Sequence, residues 1–298
     1  PQESEISLLQ RLSQDRRRTV RRAAFALLSL HAQSEQSQRL RLIAAKNVRL
    51  DAQLQWLVDL PDEATDALRA VGIEEKIHTI EGGEKASFLR QLLEMLPPAL
   101  WYKNAKINPL DLLHSARKSE WAVAIIGGLL AAAQRFADGE MLLALHRFYL
   151  LTSNAKFWNA VGTDFLGQNL SSEQAHGIAK IYADDAAHNF NDSHPIIRLA
   201  MQLKNWSQSA GKALLQLLID GSGEEKKQQH YYGLRALVQR AAYCLPHTLA
   251  QHAAQAWENV RAERPSNWQK DFARLLNLLQ RRHQIAQYFR PQSNISAL

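Results

Sequence analysis

Residues 119–136 read Ser-Glu-Trp-Ala-Val-Ala-Ile-Ile-Gly-Gly-Leu-Leu-Ala-Ala-Ala-Gln-Arg-Phe, and this stretch decides how the rest of the chain is read. Ser119 followed by Glu120 is a helix start. Beyond Trp121, the residues Ala122, Ala124, Ile125, Ile126, Leu129, Leu130, Ala131, Ala132 and Ala133 leave almost no polar face. A helix that is apolar all round belongs at the centre of a core. The run falls short of the about 18 apolar residues that a bilayer crossing needs. Downstream, Asp138-Gly139 turns into a helix carrying Met141, Leu142, Leu145, Phe148 and Tyr149. Upstream, Asn108-Pro109 is an N-cap followed by proline at the first turn, where its missing N–H is harmless. Before that, Phe88 or Leu89, Leu92, Leu93 and Leu96 recur at i, i+3, i+4 and i+7, bounded by Gly82-Gly83 and Pro97-Pro98.

The same reading extends to both ends. Only 13 Gly and 9 Pro occur in 298 residues, below the usual shares of about 7% and 5%. Ala, Leu, Gln and Arg dominate and favour helix; convincing alternating strand patterns are absent. Further helices are expected near 171–190, 195–204, 207–220, 226–244 and 246–262. The last runs from Ser266 to Phe289, with Trp268, Phe272, Leu275, Leu276, Leu279 and Ile285 on one side. Fourteen to sixteen helices result. Leu-Pro opens a segment at Leu60-Pro61, Leu96-Pro97 and Leu245-Pro246. Tryptophan sits in a helix's first turn at Trp121, Trp206 and Trp268, as a wedge between helices. The spacings are unequal, so no strict repeat exists. The expected fold is all-α, a HEAT-like α-solenoid of degenerate antiparallel helix pairs, with an irregular multi-helix globule as the alternative. Residues 1–71 form a basic helical segment continuous with the rest, 84–289 the helical array and 290–298 a flexible tail. The stretch 72–84, with Glu74-Glu75-Lys76 and Glu81-Gly82-Gly83-Glu84, is the expected connector or hinge.

Composition narrows the class of protein. Hydrophobic residues make up 46% and charged residues 22%, which excludes a disordered chain. A single cysteine, Cys244, excludes an internal disulfide framework and fits a reducing, cytoplasmic setting. No secretory signal is visible at the start, and the absent initiator Met leads us to expect a processed chain or a piece of a longer one.

The net charge of +7 is local. Residues 16–50 hold nine basic residues and one acid, Glu35, for a net +8, so the remainder carries −1. In Asp15-Arg16-Arg17-Arg18-Thr19-Val20-Arg21-Arg22-Ala23-Ala24, Asp15 is the expected cap. Arg17, Arg18, Arg21 and Arg22 share one arc of the helix, with Val20, Ala23, Ala24 and Leu27 opposite. The next helix adds Arg39, Arg41, Lys46 and Arg49. These eight residues are the candidate contacts, for an acidic protein surface or for nucleic acid through phosphate neutralisation. Aromatics for stacking are scarce there, since only Phe25 precedes Trp56. A solvated face is the bland alternative.

Catalytic patterns are weaker. The eleven histidines include no H-E-x-x-H and no Cys/His cluster. Asp184 and His188 at i, i+4, with His194 in the following turn, are the one set that could hold a metal, although a helix-surface pair beside a cap explains them as well. His247 and His252 are five apart, which points them away from a shared site. Cys244 closes an apolar helix and reads as a packed thiol. Gly221-Ser222-Gly223 lacks the strand and the Gly-Lys-Ser/Thr of a phosphate loop. No cofactor is expected.

Several pieces together resemble an uncharacterised bacterial helical-repeat family. They are Phe88-Leu89-Arg90-Gln91-Leu92-Leu93-Glu94-Met95-Leu96-Pro97-Pro98-Ala99-Leu100-Trp101, Pro109-Leu110-Asp111-Leu112-Leu113, Ser119-Glu120-Trp121, and Ala131 to Asp138. The basic segment Asp15–Leu28 and the ending from Trp268 to Arg282 fit as well. Members carry a domain of unknown function and are often encoded beside a MoxR-type AAA+ ATPase, a von Willebrand factor A domain protein and a SWIM zinc-finger protein. The resemblance implies a non-enzymatic, cytoplasmic scaffold or adaptor for such partners, and supplies no active-site residues. The alternatives are a nucleic-acid-binding HEAT-like array and, more remotely, a metal-dependent hydrolase.

Overall fold

The computed structural model describes residues 3–75, 81–152, 154–162, 172–189, 196, 206–221 and 231–289. They are mostly helical, and the chain divides into two compact units, Pro1–Phe165 and Leu166–Leu298.

In the first unit, α1 (Glu3–Leu12), α2 (Arg18–Leu28) and α3 (Glu35–Asn47) precede a hairpin of β1 (Val48–Leu50) and β2 (Trp56–Val58). There follow α4 (Asp66–Ala70), α5 (Gly83–Glu94), α6 (Ala99–Asn104), α7 (Pro109–Lys118), α8 (Ala122–Arg135), α9 (Gly139–Leu151) and α10 (Ala155–Val161). Helix α8 is the hub, packing on α5, α7, α9 and α10. Its apolar run buries Ile125, Ile126 and Leu129 completely. Two consecutive glycines bring α5 against it: a Cβ on Gly128 would lie 2.6 Å from Leu93 Cβ and 2.9 Å from the Arg90 carbonyl oxygen. Two of the capping signals hold, but Ser119 does not cap α8: it closes α7 and accepts from the Trp121 N–H at 3.2 Å, and α8 starts at Ala122 with Trp121 as its N-cap and no side-chain capping bond. The side chains of Asn108 and Asp138 accept from the backbone N–H of Asp111 and Met141, and Pro109 takes the first turn.

The hairpin departs from the strand-free expectation. Val48 pairs with Val58 and Leu50 with Trp56, antiparallel. Asp51 accepts from the N–H groups of Gln53 and Gln55, and Leu54 adopts a left-handed φ of 61° to close the turn. Asn47 Nδ2 donates to the Ile43 carbonyl and ends α3, so Arg49 belongs to a strand and not to the helix.

In the second unit, α11 (Ser172–Asn189), α12 (Gln208–Gly221), α13 (Tyr231–Cys244), α14 (Ala250–Glu258) and α15 (Ser266–Tyr288) are joined partly by short 3-10 turns. Helix α11 packs on α12, and α15 on both α13 and α14. Trp206 and Trp268 are buried, and the rings of Trp257 and Phe272 stack 3.9 Å apart. Trp268, Phe272, Leu275 and Leu279 form the inward face of α15, whereas Ile285 is exposed. The expected helix at 195–204, apart from Ile196, and the tail 290–298 lie outside the described residues.

Candidate partner-docking face

The eight basic residues meet different fates. Helix α2 begins at Arg18 with Arg17 as its N-cap and no side-chain capping bond. Asp15 therefore does not cap it. Its carboxylate accepts from the Arg17 backbone N–H at 2.8 Å and from Arg17 Nε at 3.1 Å, and these bonds hold it below the usual carboxylate range. The buried face of α2 is Ala24, Phe25 and Leu28, while Ala23 and Leu27 stay exposed.

That rotation carries Arg18 and Arg21 onto Glu74, with Nε of Arg18 at 2.7 Å and Nη2 of Arg21 at 3.0 Å. Arg18 also donates to the Glu75 carbonyl, and Arg21 to the carbonyls of Asp15 and Arg16. From the other side, Gln91 on α5 accepts from the Glu74 N–H at 3.0 Å and donates to its carbonyl at 2.7 Å. Glu74 is thus a clasp between α2 and α5. Residues 74 and 75 of the expected connector are tied down on both sides, and 76–80 lie outside the described residues. Arg39 pairs with Glu35 one turn earlier on α3.

Four cations remain. Arg22, Arg41, Lys46 and Arg49 are exposed and have no ion-pair partner among the described residues. Arg22 stands over a cleft with Gln91, Glu94, Met95 and Arg135. Burial, and more weakly the charge of Arg22, lower the pKa of Arg135, whose Nη1 donates to the Glu94 carbonyl at 2.7 Å. Arg41 and Arg49 begin and end a stripe on α3–β1 whose middle is Ala44, Ala45 and Val48. Facing it, Leu96, Leu100, Trp101 and Ala105 complete an apolar groove of about 460 Å³. Trp101 is braced by Trp56, ring centroids 5.4 Å apart. Among the described residues no acidic side chain lines this groove, and Asn104 is the one side-chain amide there.

The remaining candidates carry less. Asp184 is exposed, the side chain of His188 and all of His194 lie outside the described residues, and among the described residues no three His, Cys, Asp or Glu gather as a metal site. Cys244 is buried, which pushes its thiol up to about 11. His247 and His283 approach with Nδ1 atoms 3.4 Å apart, a pairing between a 3-10 turn and α15 that no sequence spacing signals. The groove was equally hidden, because Arg41 and Arg49 are separated from Leu96, Leu100 and Trp101 by about 50 residues. Among the described residues, no helix is long and apolar enough to cross a membrane.

A family model described as "Family of unknown function (DUF5691)" matches residues 3–289. No curated protein and no solved structure gives a significant match.

Proposed function

The chain belongs to DUF5691, a family of unknown function, and from that premise we propose that it is a non-enzymatic, cytoplasmic adaptor that docks acidic protein surfaces. The observation that supports this is the set of exposed cations Arg22, Arg41, Lys46 and Arg49, without ion-pair partners among the described residues, of which Arg41 and Arg49 line an apolar groove. Scattered charges alone give little specificity; cations framing apolar area steer and then hold a partner. The helix pairs would serve as a repeat-like scaffold, and the partners we name are a MoxR-type AAA+ ATPase or a von Willebrand factor A domain protein. Immobilised protein should retain one of them at moderate salt, with or without nucleotide, and reversing all four cations to Glu should abolish retention. Failure to retain either partner under both conditions removes this reading.

One observation favours a nucleic-acid reading as the runner-up. Lys270, Arg274, Arg281 and Tyr288 fall on one exposed face of α15, with Phe289 beside them. Cations followed by accessible rings suit a single strand. A gel-shift titration should then show binding that weakens steeply between 50 and about 200 mM salt; no shift at the low-salt end rejects it.

A further inference from the structure

The groove on the first unit combines a floor without charge and two guanidinium groups, Arg41 on α3 and Arg49 on β1, that begin and end one wall; a further ammonium, Lys46, is exposed on α3. We propose that it takes a short acidic segment of a partner protein. One apolar side chain of that segment seats against the accessible parts of Leu100 and Trp101, and its flanking carboxylates meet Arg41 and Arg49. This rests on the docking reading above and gives it a place and a chemistry.

The choice of occupant follows from complementarity. Arg18, Arg21 and Arg39 have acids of their own, whereas Arg41, Lys46 and Arg49 have none among the described residues. A guanidinium binds a carboxylate through paired N–H donors, and it does so more strongly where neighbouring apolar area excludes water. The space, about 460 Å³, is of the size that holds one or two side chains and not a whole helix. A wholly polar polyanion satisfies the arginines but leaves Leu100 and Trp101 partly wet. A wholly apolar segment covers the floor but leaves the arginines without a role. Only a segment with an apolar centre and acidic flanks answers both.

Fluorescence anisotropy on the full chain tests this with a labelled peptide of about 12 residues, glutamates surrounding one central leucine. A second peptide carries serine for the leucine. We expect the leucine peptide to bind and the serine peptide to be weaker by about tenfold or more. Ala45→Trp, at an exposed position on the groove wall, should fill the space and weaken the leucine peptide by a similar factor. The Arg41→Glu/Arg49→Glu pair should do the same and flatten the dependence on salt. Helical circular dichroism and melting of each variant establish that it is folded, and two independent variants guard against the loss of one. Equal affinity for the two peptides, or unchanged binding by Ala45→Trp, overturns the proposal. So does tighter binding of a single-stranded oligonucleotide that Ala45→Trp weakens. A concentration-dependent dimer abolished by Ala45→Trp assigns the groove to a second copy instead. If the peptides fail while the ATPase or von Willebrand factor A partner is still retained, the groove assignment falls and the docking reading stands. If the peptides behave as expected and neither partner is retained, the partners named above are wrong and the groove remains.

Discussion

Single residues set the tightest constraints, and the sequence shows them without their reasons. Gly127-Gly128 looks like a weakness inside a helix, since glycine costs about 1 kcal/mol against alanine there. The structure supplies the compensation: α5 approaches so closely that a methyl at 128 meets Leu93 and the Arg90 carbonyl at once. Gly128→Ala should therefore destabilise by about 1–3 kcal/mol despite its better helix propensity, seen as a lower urea midpoint; a higher midpoint would disprove the close-approach argument. His146 is the second such residue. It is fully buried on α9, and desolvation holds its imidazole down at about 3, against an ordinary 6.5. Above 6.5 neither the folded nor the unfolded chain protonates it, so its contribution is fully present. As pH falls from 6.5 toward 3 the unfolded chain takes up a proton that the folded one refuses, which costs up to about 1.4 kcal/mol per unit. Carboxylates add their own acid sensitivity, so the useful measurement is a difference. Between pH 6.5 and 4.5 the midpoint of the wild type should fall more steeply than that of His146→Gln. Parallel slopes would mean the imidazole titrates normally.

At the scale of elements, legibility follows the range of the signal. Asn108 and Asp138 announce their helices because a cap acts on an N–H three residues away. The β1–β2 hairpin does not announce itself, because strands of three residues are too short to alternate and gain their stability only from pairing. Sequence periodicity misplaces the face of α2 for a related reason. Its buried residues are Ala24, Phe25 and Leu28, with Phe25 packed on Gly72 nearly 50 residues later, and that roll brings Arg18 and Arg21 onto Glu74. The sequence shows the arginines as cations, but not which of them lack an acid among the described residues. Element ends also join distant helices. The Asp138 carboxylate that caps α9 accepts from the Tyr102 hydroxyl on α6 at 3.2 Å, and burial with the nearby acids Asp138 and Glu140 pushes that phenol well up. Asp138→Ala should cost about 1–2 kcal/mol, more than Tyr102→Phe, because it removes the cap as well as one acceptor. A double-mutant cycle should return a coupling near 1 kcal/mol; strict additivity would show that the contact between α6 and α9 contributes nothing.

For the whole molecule, the division into two units changes the meaning of the charge. The −1 outside residues 16–50 is itself a cancellation. Residues 1–165 hold 21 basic and 19 acidic residues, net +2, so the +8 segment sits in an otherwise acidic unit; residues 166–298 hold 15 and 10, net +5. The second unit is thus the more basic, and overall charge alone would send an acidic partner there. A docking face on α3 and β1 demands the opposite outcome. Two triple reversals separate the possibilities: Arg41→Glu/Lys46→Glu/Arg49→Glu in the first unit and Lys270→Glu/Arg274→Glu/Arg281→Glu in the second. Each reversal removes two charges, so either triple takes the chain from +7 to +1. At 0.1 M salt the screening length is about 10 Å, short enough for local charge to dominate a contact. The first triple should weaken the acidic leucine peptide by about tenfold or more, and the second by less than about threefold. Equal losses would mean that the partner responds to the field of the whole chain and that no face is singled out.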